Sequence, residues 1–258
     1  MRFGVCAGIG QAELLAEAGY DYIELSAAGD LVQEANETDW AEKRWAIDAM
    51  PLRPEAFNSF VRTGKIVGPE ADFERLRRYV QTTLARAAQV GGAVIVFGSG
   101  GARNIPEGFP REEAERQLRD FLNLCADASE RSGVAVAIEP LHRGESNIIN
   151  RVSEGAAWAR EIGRPGVRNL ADTFHMEREE EPLWAILASA DVLAHTHTAD
   201  TGRFAPGTGT YDHVTFFRIL RAARYDSRLS SECTWTDFAA QIGPSLAHLK
   251  TAWGNSEA

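Results

Sequence analysis

The sequence predicts a single-domain α/β protein, a (β/α)₈ TIM barrel, on three observations. Short apolar runs rich in Val, Ile and Phe recur along the chain, each leads through a turn into a longer stretch of helical periodicity, and eight such units can be counted. Alternating strand and helix in units of roughly 30 residues gives parallel βαβ architecture; eight units favour a closed barrel over an open doubly wound sheet.

Taken in order, strands are expected at Arg2–Cys6, Tyr22–Leu25, Pro54–Phe60, Ala93–Phe97, Val134–Pro140, Val167–Ala171, Val192–His197 and Leu229–Cys233. Between them, Asp72–Gln89 reads as an amphipathic helix because Phe73, Leu76, Val80, Leu84 and Ala87 form one apolar stripe. Arg111–Arg131 reads the same way. No long linker, low-complexity tract or charge block divides the chain, so one domain over residues 1–258 is expected. The acidic run Glu177–Glu181 reads as a solvated helix start, whose carboxylates suit the N-terminal dipole.

Composition narrows the function. With 44% hydrophobic and 25% charged residues the chain has the make-up of a packed globular protein, and 258 residues suffice for a large core. A net charge of -10 repels phosphate backbones, so nucleic acid is not an expected partner. Cys6, Cys125 and Cys233 are odd in number and far apart, which indicates neither a disulfide framework nor a zinc knuckle and fits a reduced cytoplasm. The opening MRFGVCAGIG lacks a signal-peptide core, and no apolar stretch approaches the roughly 20 residues of a membrane span; a cytoplasmic protein with no membrane partner is expected.

Barrel active sites sit at the C-terminal strand ends, so polar residues there carry the chemistry. The last four strands end in AIEPLHR (Glu139), LADTFH (Asp172 and His175), LAHTHTAD (His195 and His197) and SSECTW (Glu232). Neighbouring strands would aim three carboxylates and one imidazole at one mouth of the barrel, a clustering of negative charge that is costly without a cation. Oxygen-rich ligation with one imidazole suits one divalent ion, Mn²⁺ or Mg²⁺ first, with Co²⁺ or Zn²⁺ as alternatives. His195, two residues before His197 on the same strand face, is expected to support the site from one layer deeper. By the same alternation Cys233 points away from the site as a wall residue. His142, His213 and His248 are read as surface or packing residues. The glycine-rich GSGGAR (Gly98–Arg103) and PGTG (Pro206–Gly209) could cradle an anion with backbone amides, with Arg103 adding charge, although neither has phosphate-loop spacing.

These segments carry a family resemblance. IEPLHRGESN (Ile138–Asn147), DTFHMEREE (Asp172–Glu180), HTADTGRFAPGTG (His197–Gly209) and SSECTW (Ser230–Trp235) resemble, in order and spacing, the sugar phosphate isomerases and epimerases of the xylose-isomerase-like TIM barrel superfamily, near the ketose 3-epimerases. The resemblance implies that Glu139, Asp172, His197 and Glu232 ligate the metal and that Glu139 and Glu232 double as the acid/base pair. It also implies that Glu145, His175 and Arg203 hold the sugar. The implied reaction is α-proton transfer on a keto-sugar, through an enediolate whose charge the metal stabilises. His142 and Gly144 depart from the family, which usually has an asparagine and an aromatic there. Thr198, Ala199 and Asp200 replace a common glycine and glutamate. Phe57, Asn58, Phe97 and Arg103 are candidates for the distal pocket.

Other readings stay open. An abasic-site endonuclease would take extra histidines from strands three and four, which here end in AFNSF and VFGSG. A dehydratase or isomerase of a keto-inositol or other cyclic keto-sugar needs the same metal and proton chemistry. A non-catalytic metal- and sugar-binding barrel would bind without solvent exchange of substrate protons. A homo-oligomer is compatible with the sequence.

Overall fold

The eight apolar runs form eight parallel strands in the computed structural model, which describes residues 1–257. These are β1 (Arg2–Cys6), β2 (Tyr22–Ser26), β3 (Pro54–Asn58), β4 (Val94–Phe97), β5 (Ala135–Ile138), β6 (Val167–Asp172), β7 (Leu193–Thr198) and β8 (Arg228–Ser231). Each pairs with the next and β8 pairs with β1, so the sheet closes and the open-sheet alternative falls away.

Strands β3, β5 and β8 end earlier than predicted. Ser59 turns the chain out of the sheet with a left-handed φ of 52°, and Pro140 has no N–H for the ladder. Glu139 and Glu232 therefore stand just beyond the ends of β5 and β8.

Strand alternation splits the core in two. One side of each strand packs on the helices, with Ile23, Leu25, Phe57, Ile95, Phe97, Val136, Ile138 and Leu229 in the larger cluster. The other side fills the barrel interior, where Tyr22, Ala56, Val94, Val96, Ala137 and Leu170 form a smaller cluster. The helix Phe73–Gln89 starts where Asp72 accepts the Arg75 N–H, and Arg111–Ser132 stops at Gly133, whose φ of 76° favours glycine. Among the described residues no helix is long and apolar enough to cross a membrane.

The acidic run is not a solvated helix start. It closes the helix Thr173–Arg178, and Glu179 and Glu181 are buried. The Glu181 carboxylate accepts the N–H of Val152 at 2.7 Å and so caps the first turn of the helix Val152–Ile162 from outside. Glu179 accepts the Arg143 N–H at 2.6 Å and pairs with its guanidinium, which fixes the loop after β5.

Candidate active site

Parallel register places the key residues side by side. Asp172 at the end of β6 is opposite His197 on β7, and His197 is opposite Ser230 on β8. The Glu232 N–H then extends the ladder to Thr198 O at 3.0 Å. Donor atoms of Glu139, Asp172, His197 and Glu232 all lie within 4.8 Å of one another. His197 Nδ1 is the centre of this group, 3.2 Å from Glu139 Oε1 and 3.4 Å from Glu232 Oε2. Asp172 Oδ1 accepts the Phe174 N–H at 2.7 Å, but its Oδ2 is buried with no partner.

A buried carboxylate oxygen without a donor, beside two further carboxylates, fits a cation better than it fits an apo core. Charge counting agrees. Glu139, Asp172 and Glu232 converge on His197 with Arg203 paired to Glu232, an excess of negative charge that a divalent ion would offset. Four oxygen and nitrogen donors with no thiolate among them suit Mn²⁺ or Mg²⁺ chemistry.

The carboxylates are tuned apart. Burial raises the pKa of Glu139, only partly opposed by its hydrogen bond to His197. Burial and then the charge of Glu232 raise that of Asp172. At Glu232 burial works in the same direction, but the His197 imidazole and the Arg203 guanidinium outweigh it and hold the group ionised. His197 itself is held well above the usual imidazole range, because the facing acids, Glu24 foremost, overcome burial.

Around this group opens a cavity of about 420 Å³, lined by Glu139, Glu145, His175, Arg203 and Glu232 on one side and by Asn58, Arg62 and the Gly98–Ala102 turn on the other. That volume is in the range of small-molecule sites. Arg203 donates to Glu232 Oε2 at 2.9 Å, reaches Glu145 Oε1 at 3.4 Å, and lies over the Phe174 ring at 4.6 Å. Ser59, Ser99 and Arg203, all lining the cavity, hold left-handed φ values of 52°, 48° and 66°, a strain that local packing must enforce.

The model of the xylose isomerase-like TIM barrel family matches residues 12–252. The chain belongs to that family. Among its xylose isomerase-like relatives it is similar to the 3-dehydro-D-guloside 4-epimerase of Escherichia coli (strain K12), with 32% identity over 187 residues, 67% of this chain and 70% of the relative. It is also similar to the L-ribulose 3-epimerase of Methylomonas sp. (strain DH-1), with 28% identity over 252 residues, 93% of this chain and 82% of the relative. The crystal structure of the apo 3-keto-D-glucoside 4-epimerase from E. coli superposes with a TM-score of 0.83 at 25% identity, covering 97% of this chain and 99% of that one.

Within this xylose isomerase-like barrel several sequence expectations need correction. Arg103 offers no charge to a ligand: it is fully buried and donates to the carbonyls of Phe97, Glu139 and Ile149. Phe57 and Phe97 are core residues, so only Asn58 of the four distal candidates reaches the cavity. The PGTG loop does turn a backbone N–H to an anion, but the anion is Asp200 of this same chain, whose carboxylate accepts the N–H of Gly207 together with those of Thr201 and Tyr211 on either side. Asp200 is thereby turned away from substrate. His142 is neither a surface nor a mere packing residue. Its backbone N–H and its Nδ1 both meet His175 Nδ1, at 3.2 and 2.9 Å, so His175 accepts there and keeps its proton on Nε2. Burial lowers the His175 pKa to about 3, so this ring is a neutral donor.

Glu24 was missed altogether. Its carboxylate is fully buried in the interior and accepts from His195 Nε2 at 2.8 Å, His197 Nε2 at 3.0 Å and Ser230 Oγ at 2.5 Å. The available signal was a lone acid inside the apolar run YIEL, where a parallel barrel strand is otherwise uniformly hydrophobic. His195 takes the deeper supporting place that strand alternation assigns to it, one hydrogen bond away from the group that also holds His197.

Proposed function

We propose that the chain is a divalent-metal-dependent keto-sugar epimerase, in which Glu139 and Glu232 exchange the proton on the carbon beside the carbonyl. The observation that carries this reading is the meeting of two carboxylates, from the ends of β5 and β8, at one imidazole nitrogen and on the wall of one cavity. The names of the two relatives support it, since each describes inversion at a carbon next to a keto group.

Glu139, Asp172, His197 and Glu232 would hold the ion. Bound there, a divalent metal supplies Lewis acidity toward the carbonyl and the neighbouring hydroxyl of the substrate. One carboxylate removes the α-proton from its face, and the other returns a proton to the opposite face of the planar enediolate, which no single carboxylate can do. Glu232, ionised beside Arg203, is placed as one base, and Glu139, which meets it at His197 Nδ1 on the wall of the same cavity, is placed to exchange the proton on the other face. Arg203 and the Nε2–H of His175 offer donors to substrate oxygens, and Glu145 offers an acceptor to a hydroxyl.

Aldose–ketose isomerisation and dehydration of a cyclic keto-sugar begin with the same proton abstraction. Inversion is favoured because Glu139 and Glu232 both reach His197 Nδ1 on the cavity wall, which places two carboxylates rather than one for proton transfer. The test is to incubate the metal-loaded protein in D₂O with free ketoses and with 3-keto-glycosides and follow both deuterium uptake and product by NMR. One deuterium at the inverted carbon is expected, together with about one metal ion per chain and reversible loss of activity on chelation. Binding without exchange across the panel would leave a sugar-binding barrel, and an aldose or a dehydrated product would reassign the reaction.

A further inference from the structure

We propose that Glu24 is a positioning residue for the metal-binding imidazole: it accepts the Nε2–H of His197 and thereby fixes the tautomer whose free Nδ1 faces Glu139, Asp172 and Glu232. This rests on the reading above that His197 ligates the ion.

The hydrogen-bond logic leaves one consistent arrangement. An ionised carboxylate can only accept, so each group within reach of Glu24 must donate to it. Oε2 receives Ser230 Oγ at 2.5 Å and His195 Nε2 at 2.8 Å, while Oε1 receives His197 Nε2 at 3.0 Å. Tyr22 stands behind Ser230 with its hydroxyl 2.8 Å from Oγ, and since the serine proton is committed to Glu24 the tyrosine is the donor. His195 then carries its proton on Nε2, and its buried Nδ1, which has no partner, is a bare lone pair rather than an orphaned N–H. At His197 the same constraint puts a proton on Nε2 and turns Nδ1 to the acidic cluster, where a bound ion would take the place of any proton on it.

Geometry makes the device rigid. Glu24 comes from β2, the two histidines from β7 and Ser230 from β8, so the carboxylate ties strands that meet only because the barrel closes between β8 and β1. All of these groups are fully buried, which denies water the chance to compete for the ring nitrogens. Orienting carboxylates behind ligating histidines are worth roughly 10- to 100-fold in metal affinity in other sites.

The decisive variant is Glu24→Gln, which keeps shape but makes one of the two oxygen positions an NH₂ donor. The remaining oxygen belongs where two donors converge, on Ser230 and His195. The NH₂ then faces His197 Nε2 and drives the proton of that ring to Nδ1, against the ion. We expect Mn²⁺ affinity by calorimetry to fall roughly 10- to 100-fold, with the circular dichroism spectrum retained. Affinity within twofold of the parent protein would overturn the proposal. A measurement on the unaltered protein guards against a variant that does not fold: with Zn²⁺ as a diamagnetic probe, long-range ¹H–¹⁵N spectra should show His197 protonated at Nε2, and a proton on Nδ1 or a metal-shifted Nε2 would overturn the proposal equally. His197→Asn separates the underlying reading. If that variant binds Mn²⁺ as tightly as the parent, His197 is not a ligand and both ideas fall; if it loses the metal while Glu24→Gln keeps it, only the positioning role falls.

Discussion

The two halves of the barrel mouth differ sharply in what they present. From β5 round to β8 the strand ends carry Glu139, Asp172, His197 and Glu232, ionisable and packed within 4.8 Å of each other. From β3 to β4 the rim offers Asn58, Ser59, Val61, Arg62 and the small turn Gly98–Ala102. Under the proposed reaction the contrast is a division of labour: one half would supply the charge for proton transfer, and the other, largely uncharged apart from Arg62, would leave room for the substrate's far end. Gly98 marks the border. A Cβ there would fall within the Glu139 carboxylate, so the quiet half has to be small for the charged half to assemble.

The largest expected effect breaks the charged half. Replacing Glu139 or Glu232 with Gln, in a variant that retains its metal, should lower epimerisation by roughly 10²- to 10⁴-fold, the usual contribution of a positioned acid or base. One of the two should still exchange the substrate proton with D₂O from its surviving face. Undiminished product from either metal-bound variant would rule out the two-base scheme.

Next comes the border itself. Gly98→Ala should displace the Glu139 carboxylate and reduce kcat/KM, by up to about 10²-fold for a misplacement near 1 Å. Steady-state kinetics beside metal analysis read this directly; kinetics like those of the parent would show that the carboxylate relaxes freely.

Arg203→Ala and Glu145→Ala remove groups that line the cavity on the charged half. A loss of roughly 1 to 3 kcal/mol in kcat/KM is expected for each. The Glu145 variant should keep its full metal content. Arg203 also touches Glu232, so its removal should in addition slow the chemical step, a fall in kcat that Glu145→Ala does not share. Equal effects of the two on kcat would make Arg203 a binding group only.

The smallest effect belongs to the neutral half. Asn58→Ala should raise KM by an amount near that of one neutral hydrogen bond, about 1 kcal/mol, with kcat and metal content unchanged. A large loss of kcat there would erase the distinction between the halves.

Much of this was legible along the chain. The strands could be read because a barrel strand is buried on both faces and so appears as a short apolar run, and the acids at β5, β6 and β8 could be singled out because strand ends are where barrels place polar groups. Glu24 escaped because it lies within a run, not at its end, and its partners are 171 and 173 residues away. Arg103 misled for the opposite reason, since a glycine-rich loop with an arginine has the composition of an anion site whether the guanidinium faces solvent or three backbone carbonyls.

The sequence by itself determined the class of fold, the strand order and the set of ligand-type residues, because periodicity and element length are local properties. Only the tertiary structure decided which atoms meet: Nδ1 of His197 toward Glu139 and Glu232 and its Nε2 toward Glu24, Asp200 toward its own backbone, Glu181 onto a helix start and Glu179 onto the loop after β5. Those choices depend on register and on closure of β8 against β1, and a hydrogen bond is short-ranged and directional. A residue's type states what it can donate or accept, and its position in the closed barrel selects the partner.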